Sequence, residues 1–274
     1  MHQEKSANEL IANFCRNFNI KPAAAPIQPV GQYGLVDLGP KSLDGAVDKL
    51  WRKMDEDNYA DKDVSAVDPK APDYQDDYYD YIDERYQYIN GHEDQVFNFV
   101  RDYIRCSVIV PDYTKAPALI QDFLQKMGGK LNIHGKRPEY KAFHLHTQLN
   151  GINCEIQFHT PETLALKEAT HDFYEQWRGP IAKNPLVKND PAYLDGKQRM
   201  TDLCNSIYER SGFDQAKPLV EALTQFNQPI PSMQYNSFLM LYRDIDGAQK
   251  QLATLVRDTL ARHNEQEQNP DHSL

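Results

Sequence analysis

With 274 residues, 40% of them hydrophobic, the chain can bury one substantial core, or one core with a helical appendage. A mean hydropathy of −0.71 points to a soluble protein, and a formal net charge of −10 argues against a broad positive footprint for nucleic acid, while leaving room for a small basic cleft. No apolar run of about 18 residues occurs, so no membrane-spanning helix is expected. Met1 to Ala12 lacks an apolar core with a small-residue cleavage site, so no cleaved secretory signal is expected either.

Leu10, Ile11, Phe14 and Phe18 recur at helical spacing and predict a first helix over Ser6–Phe18. Lys21 to Pro40 holds four prolines and three glycines and reads as an irregular connection. Ser42–Met54 is helical again, with Val47, Leu50, Trp51 and Met54 as its apolar stripe. Asp55 to Asp94 is acidic and tyrosine-rich. The spacing of Tyr74, Tyr78, Tyr81 and Tyr88 suggests a helix from Tyr74 to Ile89, a solvated acidic face over packed aromatics.

From Asp102 the period changes to two. Ile104, Cys106, Val108 and Val110 alternate with Tyr103, Arg105, Ser107 and Ile109, as in a strand with one apolar face. Ala116–Met127 predicts a helix ended by Gly128-Gly129, and Lys130–Ile133 a short strand. Ala142–Leu149 and Ile152–His159 are two strands joined by Asn150-Gly151, a strong hairpin signal because both residues tolerate positive φ. Thr160-Pro161 then caps a helix running to about Trp177. Beyond Gly179 helices alternate with breaks at Asp190-Pro191, Pro218 and Pro229 to Pro231. Ser237–His263 is the longest helix, and the polar tail from Asn264 is expected to fray. Tyr235, Phe238, Leu239, Leu241 and Tyr242 are expected to pack back on the domain, with a partner surface as the alternative. Four widely spaced cysteines, Cys15, Cys106, Cys154 and Cys204, form no C-x-x-C pair and fit a reducing compartment at folding.

A two-residue hairpin fixes its own register. With Leu149 opposite Ile152, His146 falls opposite Glu155, His144 opposite Gln157 and Ala142 opposite His159. These polar residues share one face, and Phe143, Leu145, Cys154, Ile156 and Phe158 share the other. Arg105 and Ser107 join the polar face if their strand enters the same sheet. The helix after Thr160 offers a matching stripe of Lys167, His171, Tyr174 and Arg178. The plainest explanation is an uncovered sheet face, polar because solvent meets it. A ligand site admits two chemistries: His144, His146, Glu155 and His159 around a transition metal, or Glu155 with an upstream aspartate around magnesium for phosphate chemistry.

The run Glu155-Ile156-Gln157-Phe158-His159-Thr160 resembles the E-[IV]-Q-[IL]-R-T motif of the RelA/SpoT alarmone synthetase family, where a strand also leads into a histidine-bearing helix. Tyr140-Lys141-Ala142-Phe143-His144 is similar to that family's G-Y-x-S-x-H, with Lys136 four residues before the tyrosine. Asp102 to Val110 is similar to its D-[LI]-x-[AG]-x-R-[CV]-I segment, and Lys41, Lys49 and Lys53 loosely resemble its basic ATP-binding helix. The likeness spans about Lys41 to Arg178. Departures are His159 for arginine, Glu139 for glycine, Phe143 near the serine-isoleucine step and Ser107 for an arginine that Arg105 could replace from the same face. No hydrolase domain with a His-Asp metal motif is visible, so the resemblance is to divergent single-domain members, small alarmone synthetases and toxins.

That resemblance implies transfer of pyrophosphate from ATP to the 3′-hydroxyl of a nucleotide or transfer-RNA acceptor. Asp102 and Glu155 would be catalytic and would hold Mg2+. Lys41, Lys49, Lys53, Arg105, Lys136, His144, His146, Gln157, His159, Lys167 and His171 would bind substrates, and Tyr140 would stack on the acceptor base. The expected fold is α+β, a mixed sheet of about four to five strands flanked by helices. Three parts are expected: an N-terminal helix and linker (1–40), a synthetase-like domain (41–178) and a helical extension (179–274), through which a neutralising partner or oligomer could dock. The family context implies a bacterial cytoplasmic protein, or one delivered into a target cell. Two other readings compete: the same fold as a nucleotide-binding or interaction module with altered chemistry, and a His/Glu metal-dependent enzyme.

Overall fold

The computed structural model describes residues 6–21, 26–54, 97–98, 100–176, 190–235 and 237–269. The helix expected at Tyr74 to Ile89, and the acidic stretch around it, lie outside them. Within them six strands form one mixed sheet: β1 (Gln28–Val30), β2 (Tyr33–Asp37), β3 (Ile104–Ile109), β4 (Lys130–Arg137), β5 (Tyr140–Leu149) and β6 (Ile152–His159). Their spatial order is β1-β2-β3-β6-β5-β4. Only β3 and β6 run parallel; every other neighbouring pair is antiparallel. Among the described residues seven helices flank the sheet: α1 (Ala7–Phe18), α2 (Leu43–Met54), α3 (Ala116–Met127), α4 (Pro161–Gln176), α5 (Pro191–Arg210), α6 (Phe213–Leu223) and α7 (Phe238–Gln268).

The Asn150-Gly151 turn sets the register that places the site. Both residues have positive φ, 52° and 76°, and the strands they join pair Leu149 with Ile152, His146 with Glu155 and His144 with Gln157, as the turn predicts. Across the parallel interface Arg105 pairs with Glu155, Ser107 with Gln157 and Ile109 with His159. Successive side chains alternate faces, so β3, β5 and β6 present one polar and one apolar face in step.

The apolar face carries the main core. Ile104, Cys106, Val108, Phe143, Leu145, Cys154, Ile156 and Phe158 are buried there against residues of α3, α6 and α7, including Leu119, Phe123, Phe213, Val220, Leu241, Leu252 and Val256. Tyr113, Phe143 and Phe213 pack ring to ring, with Phe143 stacked on Phe213 at 4.7 Å. A second cluster joins α1, α4 and α5 through Ile11, Phe14, Leu166, Ala169, Leu203 and Ile207. All four cysteines are free and buried.

Several expectations need correction. The connection over Lys21–Pro40 contains a hairpin, β1–β2, turned at Gly31 with φ 63°. Its strands are short and broken by Pro29 and Gly34, so alternation was too brief to register, yet Tyr33, Leu35 and Val36 are buried. This raises the sheet from the expected four or five strands to six. The strand begun at Lys130 runs to Arg137 rather than Ile133. Pro218 lies inside α6 instead of breaking it. The helix expected to fray from Asn264 continues to Gln268, because Asn264 accepts from the Gln32 backbone and Glu267 accepts from the Tyr33 hydroxyl at 2.6 Å. Leu241 is buried and Tyr235, Phe238 and Tyr242 pack on the main core, whereas Leu239 is exposed.

Candidate functional site

The polar face of β3, β5 and β6 is not open to solvent. Glu155, Gln157, His144 and His146 are each under a tenth exposed, and His159 is fully buried. The plain reading of an uncovered sheet face therefore fails, and burying such groups costs free energy unless each finds a partner.

Glu155 is the centre of the network. Its carboxylate accepts from His144 Nδ1 at 3.1 Å and from Gln157 Nε2 at 2.5 Å, and His146 Nε2 lies 3.5 Å away. Burial alone would raise its pKa, but the two imidazoles and the Gln157 amide outweigh burial and hold it well below the usual carboxylate range. His144 Nε2 lies 2.7 Å from the Tyr140 hydroxyl, so both nitrogens of that ring are engaged. Burial, reinforced by the Glu155 charge, pushes the Tyr140 phenol well up and keeps it protonated.

Gln157 carries the network toward α4. Its Oε1 accepts from Lys167 Nζ at 3.1 Å and lies 3.4 Å from His159 Nε2 and from the Ser107 hydroxyl. Lys167 reaches the face because α4 starts directly at the end of β6. The helix is capped there by Thr160, whose hydroxyl accepts from the Thr163 backbone at 3.2 Å. Burial lowers the Lys167 pKa, partly opposed by Glu168. Burial, with Lys167 nearby, holds the His159 imidazole well below its ordinary value.

Asp102 stands just ahead of β3 and is held by two lysines, Lys41 at 3.2 Å and Lys49 at 2.7 Å. Lys41 is fixed at its backbone: its N–H donates to the Tyr103 carbonyl and its carbonyl accepts from the Tyr242 hydroxyl. Burial lowers the Lys41 pKa; Asp102 opposes this, while the Arg105 and Lys49 charges add to it. The Arg105 charge also adds to the lowering of the Lys167 pKa. Arg105 Nε is buried with no hydrogen-bond partner, as is His146 Nδ1.

The structure thus brings together Asp102, Lys41 and Lys49 on one side and Arg105, Tyr140, His144, His146, Glu155, Gln157, His159 and Lys167 on the other. Burial lowers the His146 pKa, with the Glu155 and Asp102 charges opposing it. Lys136 and His171 are exposed on β4 and α4. The side chains of Lys53 and Tyr174, and Arg178 as a whole, lie outside the described residues.

Two contributors escaped the sequence. His134 on β4 lies beside His144, with ring centroids 4.3 Å apart and the planes tilted by 50°. Ending that strand at Ile133 hid the alternation of Asn132, His134 and Lys136, which was the available signal. Burial and the neighbouring His144 bring the His134 pKa down to about 4. Among the described residues, His134, His144 and His146 lie close enough together to hold a metal ion. The second contributor is Gln249 of α7, whose amide clasps the backbone of Arg105.

No family model, curated protein or solved structure matches this chain. No helix among the described residues is long and apolar enough to cross a membrane.

Proposed function

We propose that this face binds ATP and transfers its terminal pyrophosphate to a hydroxyl of a nucleotide or RNA acceptor, as the motif resemblance implies. The observation that carries this reading is the Arg105 Nε, buried and without a hydrogen-bond partner among the described residues, in register with Glu155 on the neighbouring strand. A buried guanidinium nitrogen with no acceptor calls for an anion, and a phosphate chain supplies both the charge and the acceptors. In the transfer, the acceptor hydroxyl oxygen bonds to the β-phosphorus of ATP. The bond from that phosphorus to the bridging oxygen breaks, and AMP leaves with the bonding pair. Glu155, ionised and fixed, accepts the hydroxyl hydrogen bond and takes the proton as the new bond forms. Tyr140 supplies a ring beside this point for the acceptor base. Arg105, Lys167, Lys41 and Lys49 neutralise the phosphates.

The family pattern puts magnesium between Asp102 and Glu155. The donor set does not fit that arrangement: Asp102 is engaged by two ammonium groups, and Glu155 by two imidazoles and an amide. Magnesium prefers an oxygen shell, so no step above depends on it.

The test is a mass-spectrometric product assay. Purified protein is incubated with the magnesium salt of ATP and, in turn, GDP, GTP, ADP, AMP or deacylated transfer RNA, beside Glu155→Gln and Asp102→Asn. A product heavier by one pyrophosphate, with matching AMP and neither in the two folded variants, supports the transfer and identifies the acceptor. No product from any acceptor, with ATP still bound, would leave a nucleotide-binding module.

A further inference from the structure

We propose that His134, His144 and His146 form a binding site for a transition-metal ion of the zinc class. This goes beyond the nucleotide reading and does not rest on it. The three imidazoles come from two neighbouring strands, His134 from β4 and His144 and His146 from alternate positions of β5. One ring nitrogen from each lies within 4.8 Å of the others. Ligand nitrogens around a tetrahedral zinc, at bonds of about 2.0–2.1 Å, sit roughly 3.3 Å apart. Closing that gap requires the rings to turn toward one another and His144 Nε2 to leave the Tyr140 hydroxyl.

The surroundings have the features such a site needs. His144 donates through Nδ1 to Glu155, the carboxylate–histidine pairing that fixes a ligand's tautomer and orients its other nitrogen. That other nitrogen, Nε2, now faces the Tyr140 hydroxyl at 2.7 Å. His146 keeps Nδ1 buried with no partner, although the residue is only 8% exposed. His134 is the most open of the three and gives the ion a route in. An all-imidazole set suits zinc, cobalt, nickel or copper and offers nothing to magnesium. With three protein ligands the fourth position stays open, the pattern of a reactive rather than a purely structural centre.

His159 takes no part. It is turned toward Gln157 and stands 6.2 Å, ring to ring, from Tyr140. The metal set expected from the sequence, which included His159 and Glu155 and lacked His134, is thereby replaced by one in which Glu155 supports a ligand.

The experiment uses the full chain without a polyhistidine tag, stripped with a chelator and titrated with Co2+ and then Zn2+. The expected result is one ion per chain, an intense visible cobalt band of a four-coordinate site, and displacement of that band by zinc but not by a hundredfold excess of Mg2+. In His134→Ala, whose ring is open enough for the fold to survive its loss, affinity should fall at least tenfold with the circular dichroism spectrum unchanged. His171→Ala should bind as the parent does. Absence of stoichiometric uptake, displacement by magnesium, or undiminished binding in His134→Ala would each overturn the site. None of these readouts involves ATP, so failure here leaves the transfer reading standing, and the reverse also holds.

Discussion

Arg105 and Glu155 stand side by side, in register, on the parallel strands β3 and β6 and on the same face of the sheet. The carboxylate is already held by His144, His146 and Gln157, while Arg105 Nε has no partner. An Arg105 Nε without a partner and a buried, fully engaged carboxylate on the same face suit a ligand bringing an anion to the one and a hydroxyl to the other.

Arg105→Lys tests the first half of that pairing. Lysine keeps the charge but loses the planar fork that grips two phosphate oxygens. A hydrogen bond to a charged group is worth about 1.5–3 kcal/mol, so the KM for ATP should rise at least about tenfold. Initial-rate kinetics across ATP concentrations measures it, and an unchanged KM would remove Arg105 from the nucleotide site.

The buried histidines make stability depend on pH in a defined sense. Burial lowers His146 and holds His159 well below its ordinary value, while the more exposed His134 is brought to about 4 by partial desolvation and the neighbouring His144. In the unfolded chain each titrates near 6.5, so on acidification the unfolded state takes up these protons first. Stability is therefore full above about pH 6.5 and falls as pH drops toward about 4, continuing lower for His159. Glu155, whose pKa is depressed in the fold, adds a further loss below the unfolded glutamate value of about 4.3. Melting temperature should decline steadily from pH 7 to pH 5, and His159→Gln should flatten the slope. A flat profile over that range would show that these imidazoles are not buried neutral.

Gln249 carries a separate, structural prediction. Its amide accepts from the Arg105 N–H at 2.9 Å and donates to the Arg105 carbonyl at 2.9 Å and to Asp37 at 2.6 Å. The pairing of β2 with β3 ends at Asp37 and Cys106, so the side chain continues the ladder as a peptide group would. Gln249→Leu would strand two buried backbone groups, at about 1–3 kcal/mol each. Urea denaturation should show a loss of about 2–6 kcal/mol, and ATP affinity should fall as Arg105 loosens. A loss under about 0.5 kcal/mol would mean that the β3 backbone finds other partners.

The sequence by itself determined the hairpin face. An Asn-Gly turn fixes the pairing of its strands locally, and the period of two assigns every side chain to a face, so His144, His146, Glu155 and Gln157 were bound to lie together. Arg105 and Ser107 followed once β3 entered the sheet, because their alternation was in phase with the apolar face. The capped start of α4, which carries Lys167 to Gln157, was legible for the same local reason. The tertiary structure alone decided the rest. It covered the polar face, which alternation cannot distinguish from a solvent-exposed one. It set His134 beside His144 by pairing β4 with β5, and it made Gln249 a surrogate peptide for β3 from 144 residues away. It also engaged Asp102 with Lys41 and Lys49. Turn chemistry and side-chain period act over a few residues and are written in order along the chain. Burial, charge pairing and ligand geometry depend on which distant segments pack together, and the sequence records that only through the fold.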